Sequence, residues 1–228
     1  RRYLNATATL TRLLDAGAIH PCPTSRPPVR GVTDHGVTVH TVTVVTPQLR
    51  TDAASRIHDD GRITIDDGST PPLADATHRL PVRRGPAAAR NAARPFIDTE
   101  LVAFLDADVE APDGWLEPLL AHFDDPRVGL IAPRVTGETG SPLDLGDEPA
   151  RIRSGTRVSY VPGAALVVRV AAFDAVGGFD PTLRFGEDVD FVWRLDEAGW
   201  RCRYEPAGVV WHEPRETLGA RLRQHVGY

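Results

Sequence analysis

The sequence predicts an α/β fold built on a largely parallel sheet covered by helices, and three observations predict it. Short β-rich runs recur between helical candidates from Val37 onward. Several of these runs are apolar at nearly every position, as strands buried on both faces are. Acidic clusters stand directly behind two of them, where open α/β sheets gather their ligands.

The strand candidates are VTVHTVTVV (37–45), RITI (62–65), LVAFL (101–105), VGLIA (128–132), ALVVRV (165–170), RCRYE (201–205) and GVVWH (208–212). β-branched and aromatic residues dominate them. PAAARNAA (86–93) reads as a helix, since Pro86 suits a first helical turn. GWLEPLLAHF (114–123) reads as a second, with Asp113 as its cap. AAFDAVG (171–177) is a short helix ended by glycine. EDVDFVWRLDEAG (187–199) carries Phe191, Val192 and Leu195 on one face and closes on Gly199.

The first 30 residues read differently. Leu4, Leu10, Leu13 and Leu14 follow a loose helical spacing, and the stretch from Pro21 to Pro28 holds four prolines, a linker composition. Residues 1–30 are therefore expected to be an appendage, and 31–228 the folded domain. A chain without Met that opens on Arg-Arg reads as an excerpt of a longer protein.

Composition excludes several function classes. The 228 residues are 41% hydrophobic, enough for a core, so disorder throughout is excluded. All 26 basic residues are arginine, against 31 acids, a net charge of −5. That balance opposes broad nucleic-acid or anionic-membrane binding. No apolar run approaches the roughly 18–20 residues of a membrane helix. Cys22 and Cys202 form neither a C-x-x-C pair nor a disulfide framework, which fits a reducing, cytoplasmic setting; the inner face of the membrane is an alternative location.

Function is written in the carboxylates. Asp66 and Asp67 follow RITI, and Asp106 and Asp108 follow LVAFL. Either pair alone could be a turn or a cap, but together they converge on one crevice. Asp106 and Asp108 offer hard oxygen ligands to a divalent cation, Mn²⁺ or Mg²⁺, that keeps positions for phosphate oxygens. With no P-loop and no G-x-G-x-x-G in the chain, a metal-bridged diphosphate is the natural way to hold a nucleotide. Glu187, Asp188 and Asp190 open a helix, where acids complement the helix dipole or serve as a general base.

These motifs in order, DDGS, GPAAARNAA, FLDAD, GGFD, GEDVDF and a later His, resemble glycosyltransferase family 2 with the GT-A fold. SPLDLGDEPARIRSGTRVSYVPGAALVVR (141–169) and FGEDVDFVWRLDEAGWRCRYEP (185–206) look like the mycofactocin-system branch of that family. The resemblance implies a metal-dependent, inverting hexosyltransferase with a UDP-sugar donor, glucose being the favoured sugar. It implies a small peptide-derived acceptor, premycofactocin, with a cell-wall glycan or lipid-linked sugar as the alternative acceptor. A nucleotide-sugar-binding module without turnover is the alternative from another class.

Residue by residue, the resemblance implies that Asp66 and Asp67 hold the uracil and ribose, with Arg90 and Asn91 beside the nucleotide. Asp106 contacts ribose or metal, and Asp108 binds the metal. Asp188 is the base, Glu187 helps bind the acceptor, and His212 is a third metal ligand. The remaining seven histidines, His122 among them, are expected to be solvated surface.

Overall fold

Leu101–Leu105 is apolar at every position, and all five residues are buried. In the computed structural model, which describes residues 42–48, 62–137 and 140–212, this run lies in a nine-stranded sheet. The strands are β1 (Val42–Gln48), β2 (Ile63–Asp66), β3 (His78–Arg79), β4 (Leu101–Leu105), β5 (Val109–Glu110), β6 (Val128–Thr136), β7 (Ala150–Ile152), β8 (Ala165–Arg169) and β9 (Arg201–His212). Their order is β3-β2-β1-β4-β8-β6-β9-β5, with β7 also paired to β9.

Six strands, β1, β2, β3, β4, β6 and β9, run one way, while β5, β7 and β8 run the other. The α/β expectation holds, and the sheet is mostly parallel but mixed. β8 enters between β4 and β6 in the reverse sense. Its reversal was invisible in ALVVRV, because an apolar run reads the same in either direction.

Among the described residues four α-helices pack on the sheet: α1 (Pro86–Ala92), α2 (Glu117–Leu120), α3 (Val170–Ala175) and α4 (Glu187–Glu197). Strand alternation divides the core between the two faces. Val102 and Phe104 of β4, with Leu166 and Val168 of β8, meet Ala89, Phe173, Phe191 and Leu195 from α1, α3 and α4. Leu101, Ala103 and Val167 point the other way, onto Leu119 and Phe123. Phe104, Phe173, Phe179 and Phe191 form one aromatic cluster with centroid separations of 4.2 to 6.0 Å.

Boundaries differ in instructive ways. The expected 114–123 helix is only α2, followed by a 3-10 turn over Ala121–Asp124, and Asp113 does not cap it. Pro118 explains the late start, since proline is tolerated only in a first turn. RCRYE and GVVWH are one strand with a bulge: Glu205 pairs Pro133, and Val209 pairs the very next residue, Arg134. The displaced Pro206-Ala207-Gly208 is held by the Ala207 N–H donating to Glu205 Oε1 at 3.0 Å. The expected appendage, the domain boundary at residue 30 and the first part of VTVHTVTVV lie outside the described residues. No helix among the described residues is long and apolar enough to cross a membrane.

His122 corrects the expectation of a solvated surface histidine. Its side chain is 4% exposed, facing β9 from the 3-10 turn, with Nε2 2.9 Å from Glu205 Oε2. Arg203 Nη1 lies 3.3 Å from Nδ1. An arginine can only donate, so the ring proton sits on Nε2 and is donated to Glu205. His122→Ala should therefore leave Glu205 buried without this donor and cost about 1–3 kcal/mol in urea unfolding. His78→Ala, at an exposed position, should stay within about 0.5 kcal/mol. Equal effects from the two would remove His122 from the interior network.

Candidate active site

The register of the parallel strands brings the acids to one edge of the sheet. Asp66 closes β2 opposite Gln48, and β1 continues its pairing with β4 up to Val45 opposite Phe104. The DDGS turn and the Asp106–Asp108 turn therefore leave the sheet at the same end, where ligands collect in such folds.

Asp66 is fully buried, and both its oxygens are occupied within the turn. Oδ1 accepts from the Ser69 N–H at 2.7 Å; Oδ2 accepts from the Leu73 N–H at 3.2 Å and from Arg79 Nη1 at 2.8 Å. Gly68 makes the turn possible at φ +74°, where a Cβ would stand 2.5 Å from the Arg83 nitrogen. Asp67, 5% exposed, accepts from the Arg84 and Gly85 N–H groups at 2.7 and 2.9 Å. The two acids thus shape the loop that leads into α1, and Asp66 turns wholly inward.

Arg90 is the centre of the arrangement. Its side chain is buried, yet it reaches three acceptors on three separate segments. Nη2 donates to Asp106 Oδ1 at 2.8 Å and to the Gly163 carbonyl at 2.9 Å; Nη1 donates to Glu187 Oε1 at 3.0 Å. Its guanidinium carbon lies 5.2 Å from the centre of the Phe179 ring. Burial alone would lower the Arg90 pKa, but Asp106 and Glu187 outweigh it and raise it. Asn91 is spent on one partner: its amide donates to the Phe179 carbonyl at 2.7 Å and its oxygen accepts from the Phe179 N–H at 2.9 Å.

Glu187 is buried against Arg90, whereas Asp188 remains partly exposed at the start of α4. Asp188 Oδ2 accepts from the Gly163 N–H at 2.8 Å, and Oδ1 from the Val189 N–H at 2.9 Å. Asp190 is turned to Arg194 one turn on, at 2.7 Å. Of the acids that open the helix, Asp188 is the one whose bonds are all to backbone donors.

On the other side of Asp106, Asp108 meets His212. β5 and β9 pair Val109 with His212, which brings His212 Nε2 to 3.6 Å from Asp108 Oδ2. Both side chains are about a quarter exposed. Burial first, and then the like charge of Asp108, push the Asp106 carboxyl up against the opposing pull of Arg90 and His212. Among the described residues no group of three or more His, Cys, Asp or Glu side chains is arranged to hold a metal ion. The pair Asp108 and His212, an anionic oxygen and an imidazole at one rim, suits a hard divalent cation that keeps other positions open.

The sequence missed Gly163, Arg79 and Phe179. A glycine directly before a buried strand is a signal of close backbone approach, and VPGAALVV contained it. Phe179 lies in the GGFD motif, though not with this role, and Arg79 carried no local sign.

Residues 62–156 match the family model Glycosyl transferase family 2, and residues 145–226 match Glycosyltransferase like family 2. The chain is 43% identical to a Mycobacterium tuberculosis pre-mycofactocin glycosyltransferase over 93% of this chain and 49% of that protein. It is 29% identical to the N-acetylglucosaminyl-diphospho-decaprenol L-rhamnosyltransferase of the same organism, over 60% of this chain and 54% of that one. The chain thus spans about half the length of the curated relatives it matches. The crystal structure of GalNAc-T7 with UDP, GalNAc and Mn²⁺ superposes with a TM-score of 0.60 at 18% identity, covering 79% of this chain and 45% of that one. That likeness is one of fold, and it bears out the GT-A expectation.

Asp66 gives the site a measurable acid dependence. Burial pushes its carboxyl up, but the bonds from Ser69, Leu73 and Arg79 prevail and hold it below its ordinary value of 3.8. A depressed folded value favours the ionised form, so the contribution is complete above the unfolded value and is lost as pH falls through the folded one. Asp66→Asn should lower the melting temperature at neutral pH, and its gap to the wild type should close below pH 3.8. A gap that stays constant well below that pH would show that the Asp66 charge contributes nothing to the turn.

Proposed function

The chain belongs to glycosyltransferase family 2, and we propose that it transfers a hexose, with inversion, from a UDP-sugar to a hydroxyl of a small peptide-derived acceptor of the premycofactocin type. The observation that carries this reading is the set of ties made by Arg90. One buried cation holds Asp106, on the diphosphate side, and Glu187, at the start of the helix that carries Asp188. The acceptor class follows the 43% identical relative. A lipid-linked sugar acceptor is the second reading, favoured by the decaprenol-linked specificity in the name of the 29% identical relative.

Asp188 takes the proton of the acceptor hydroxyl as that oxygen bonds to the anomeric carbon. The bond from that carbon to the diphosphate oxygen breaks with its electron pair, and UDP leaves. A single carboxylate suffices for one displacement, and one displacement inverts the centre. The Gly163 and Val189 N–H groups hold both oxygens of the Asp188 carboxylate and aim it. Asp67, through the loop before α1, shapes the uracil side, while Arg90 and Asn91 fix the walls from behind. Glu187 acts by holding Arg90 and α4 rather than by reaching the acceptor. Asp108 and His212 are the residues that would hold Mn²⁺ or Mg²⁺, with Asp106 beside them. A cation bound there would neutralise charge on the departing diphosphate.

Asp188→Asn keeps the shape of the base but removes its proton affinity, so turnover should fall by about 10² or more. UDP binding should persist. Normal transfer in that variant would move the base to another residue. Asp108→Ala should reduce UDP affinity measured with Mn²⁺ to the value measured with chelator. Unchanged metal-dependent UDP binding, read by calorimetry, would remove Asp108 from the metal site. Product mass after incubation with UDP-sugars and each acceptor class separates the two acceptor readings.

A further inference from the structure

Gly163 lies between the buried cation and the base. Its N–H donates to Asp188 Oδ2 at 2.8 Å, and its carbonyl accepts from Arg90 Nη2 at 2.9 Å. A Cβ on this residue would stand 3.2 Å from Arg90 Nη2, 3.2 Å from Asp188 Cβ and 3.4 Å from Asp188 Oδ2. Arg90 has little freedom to yield, because Asp106 and Glu187 pin it as well. Asp188 is held on its other oxygen by the Val189 N–H. A side chain at 163 would therefore move the carboxylate, the less constrained of the two neighbours.

We propose that Gly163 is a positioning residue for the transfer step. It seats the Asp188 carboxylate through its own backbone N–H, at an approach so close that a Cβ would force a neighbour to give by a few tenths of an ångström, and Arg90 holds that seat from the other side. With both oxygens anchored by backbone donors, the carboxylate plane is fixed. Its remaining lone pairs, on a partly exposed side chain, are left for the acceptor hydroxyl. A displacement of the order of 1 Å at a reacting group can cost about 10²-fold in rate. The few tenths of an ångström that a methyl group demands here are enough to be read in kcat. The inference rests on Asp188 being the base.

Steady-state kinetics on Gly163→Ala, Asp188→Asn and the double variant, with UDP titration calorimetry on each, test it. Gly163→Ala should lower kcat by about fivefold while donor KM and UDP affinity stay within about twofold. In the Asp188→Asn background the same change should add less than about twofold, because a residue that acts through the base has nothing left to position. Losses that multiply, or UDP affinity that falls together with kcat, would overturn the proposal. Normal turnover in Gly163→Ala alone would also overturn it and leave the base in place. Normal turnover in Asp188→Asn would remove the base itself. If Gly163→Ala does not fold, the Gly163 amide proton of the wild type still reports the bond. It should shift upfield in Asp188→Ala, and an unmoved resonance would count against the seat.

Discussion

A guanidinium without solvent is the constraint around which this site is arranged. Burying Arg90 is costly unless its charge and donors are matched, and the fold matches the charge and both terminal nitrogens with groups far apart in the chain, leaving Nε without a hydrogen-bond partner. Asp106 comes from the end of β4, Glu187 from the first turn of α4, and the Gly163 carbonyl from the segment entering β8. The face of Phe179 covers it. Each acceptor has to arrive for the cation to be tolerated, so the crevice assembles together or not at all. This is why α1, which carries Arg90, packs small alanines against the sheet: Ala87, Ala88 and Ala89 let the helix approach closely enough for the guanidinium to reach across.

The same constraint divides the acids by task. Asp66 is enclosed by its own turn, Asp67 by the loop before α1, and Glu187 by Arg90. These carboxylates are spent on building the walls. Asp188, Asp108 and His212 keep a face toward solvent. A carboxylate enclosed by the protein builds a wall, whereas a partly exposed one can still meet a ligand. A crevice rich in acids can therefore hold only a few that act. Asp106 stands between the two sets, bound to Arg90 on one oxygen and partly exposed.

Much of this was legible in the sequence because its signals are local. LVAFL reads as a doubly covered strand from its own residues, and Pro86 and Gly199 mark helix ends by their own geometry. The convergence of DDGS and FLDAD on one edge followed from strand ends alone. What stayed hidden depends on partners. β3, β5 and β7 hold two or three residues each, too short for any periodicity. His122 looked like surface because Glu205 and Arg203, which satisfy it, lie more than 80 positions away. Arg90 and Asn91, expected beside the nucleotide, also bond to distant parts of the protein. The pairs Arg90–Glu187 and Asn91–Phe179 span 97 and 88 positions, and no local pattern announces them.

His212 shows how an irregularity can serve the site. Without the displaced residues at Pro206-Ala207-Gly208, β9 would continue along β6 in the register it keeps from Leu130 to Pro133. A strand that slips by an odd number of positions exchanges its two faces. The bulge adds three residues between Glu205 and Val209 while β6 advances by one, so β9 gains material without losing its pairing. Cys202 and Tyr204 pack before it with Leu130 and Ala132, and after the odd offset Val210 packs in a separate buried cluster with Val135, Val109 and Leu105. The two-residue step from Val210 then carries the strand to His212, opposite Val109 and within reach of Asp108. Proline in a paired strand is normally a defect. Here Pro206 sits where no ladder bond is required, and Glu205, anchored by His122 on one oxygen and the Ala207 N–H on the other, holds the bulge in place. The buried His122 network on one face of the sheet thus supports the strand whose far end delivers an imidazole to the rim.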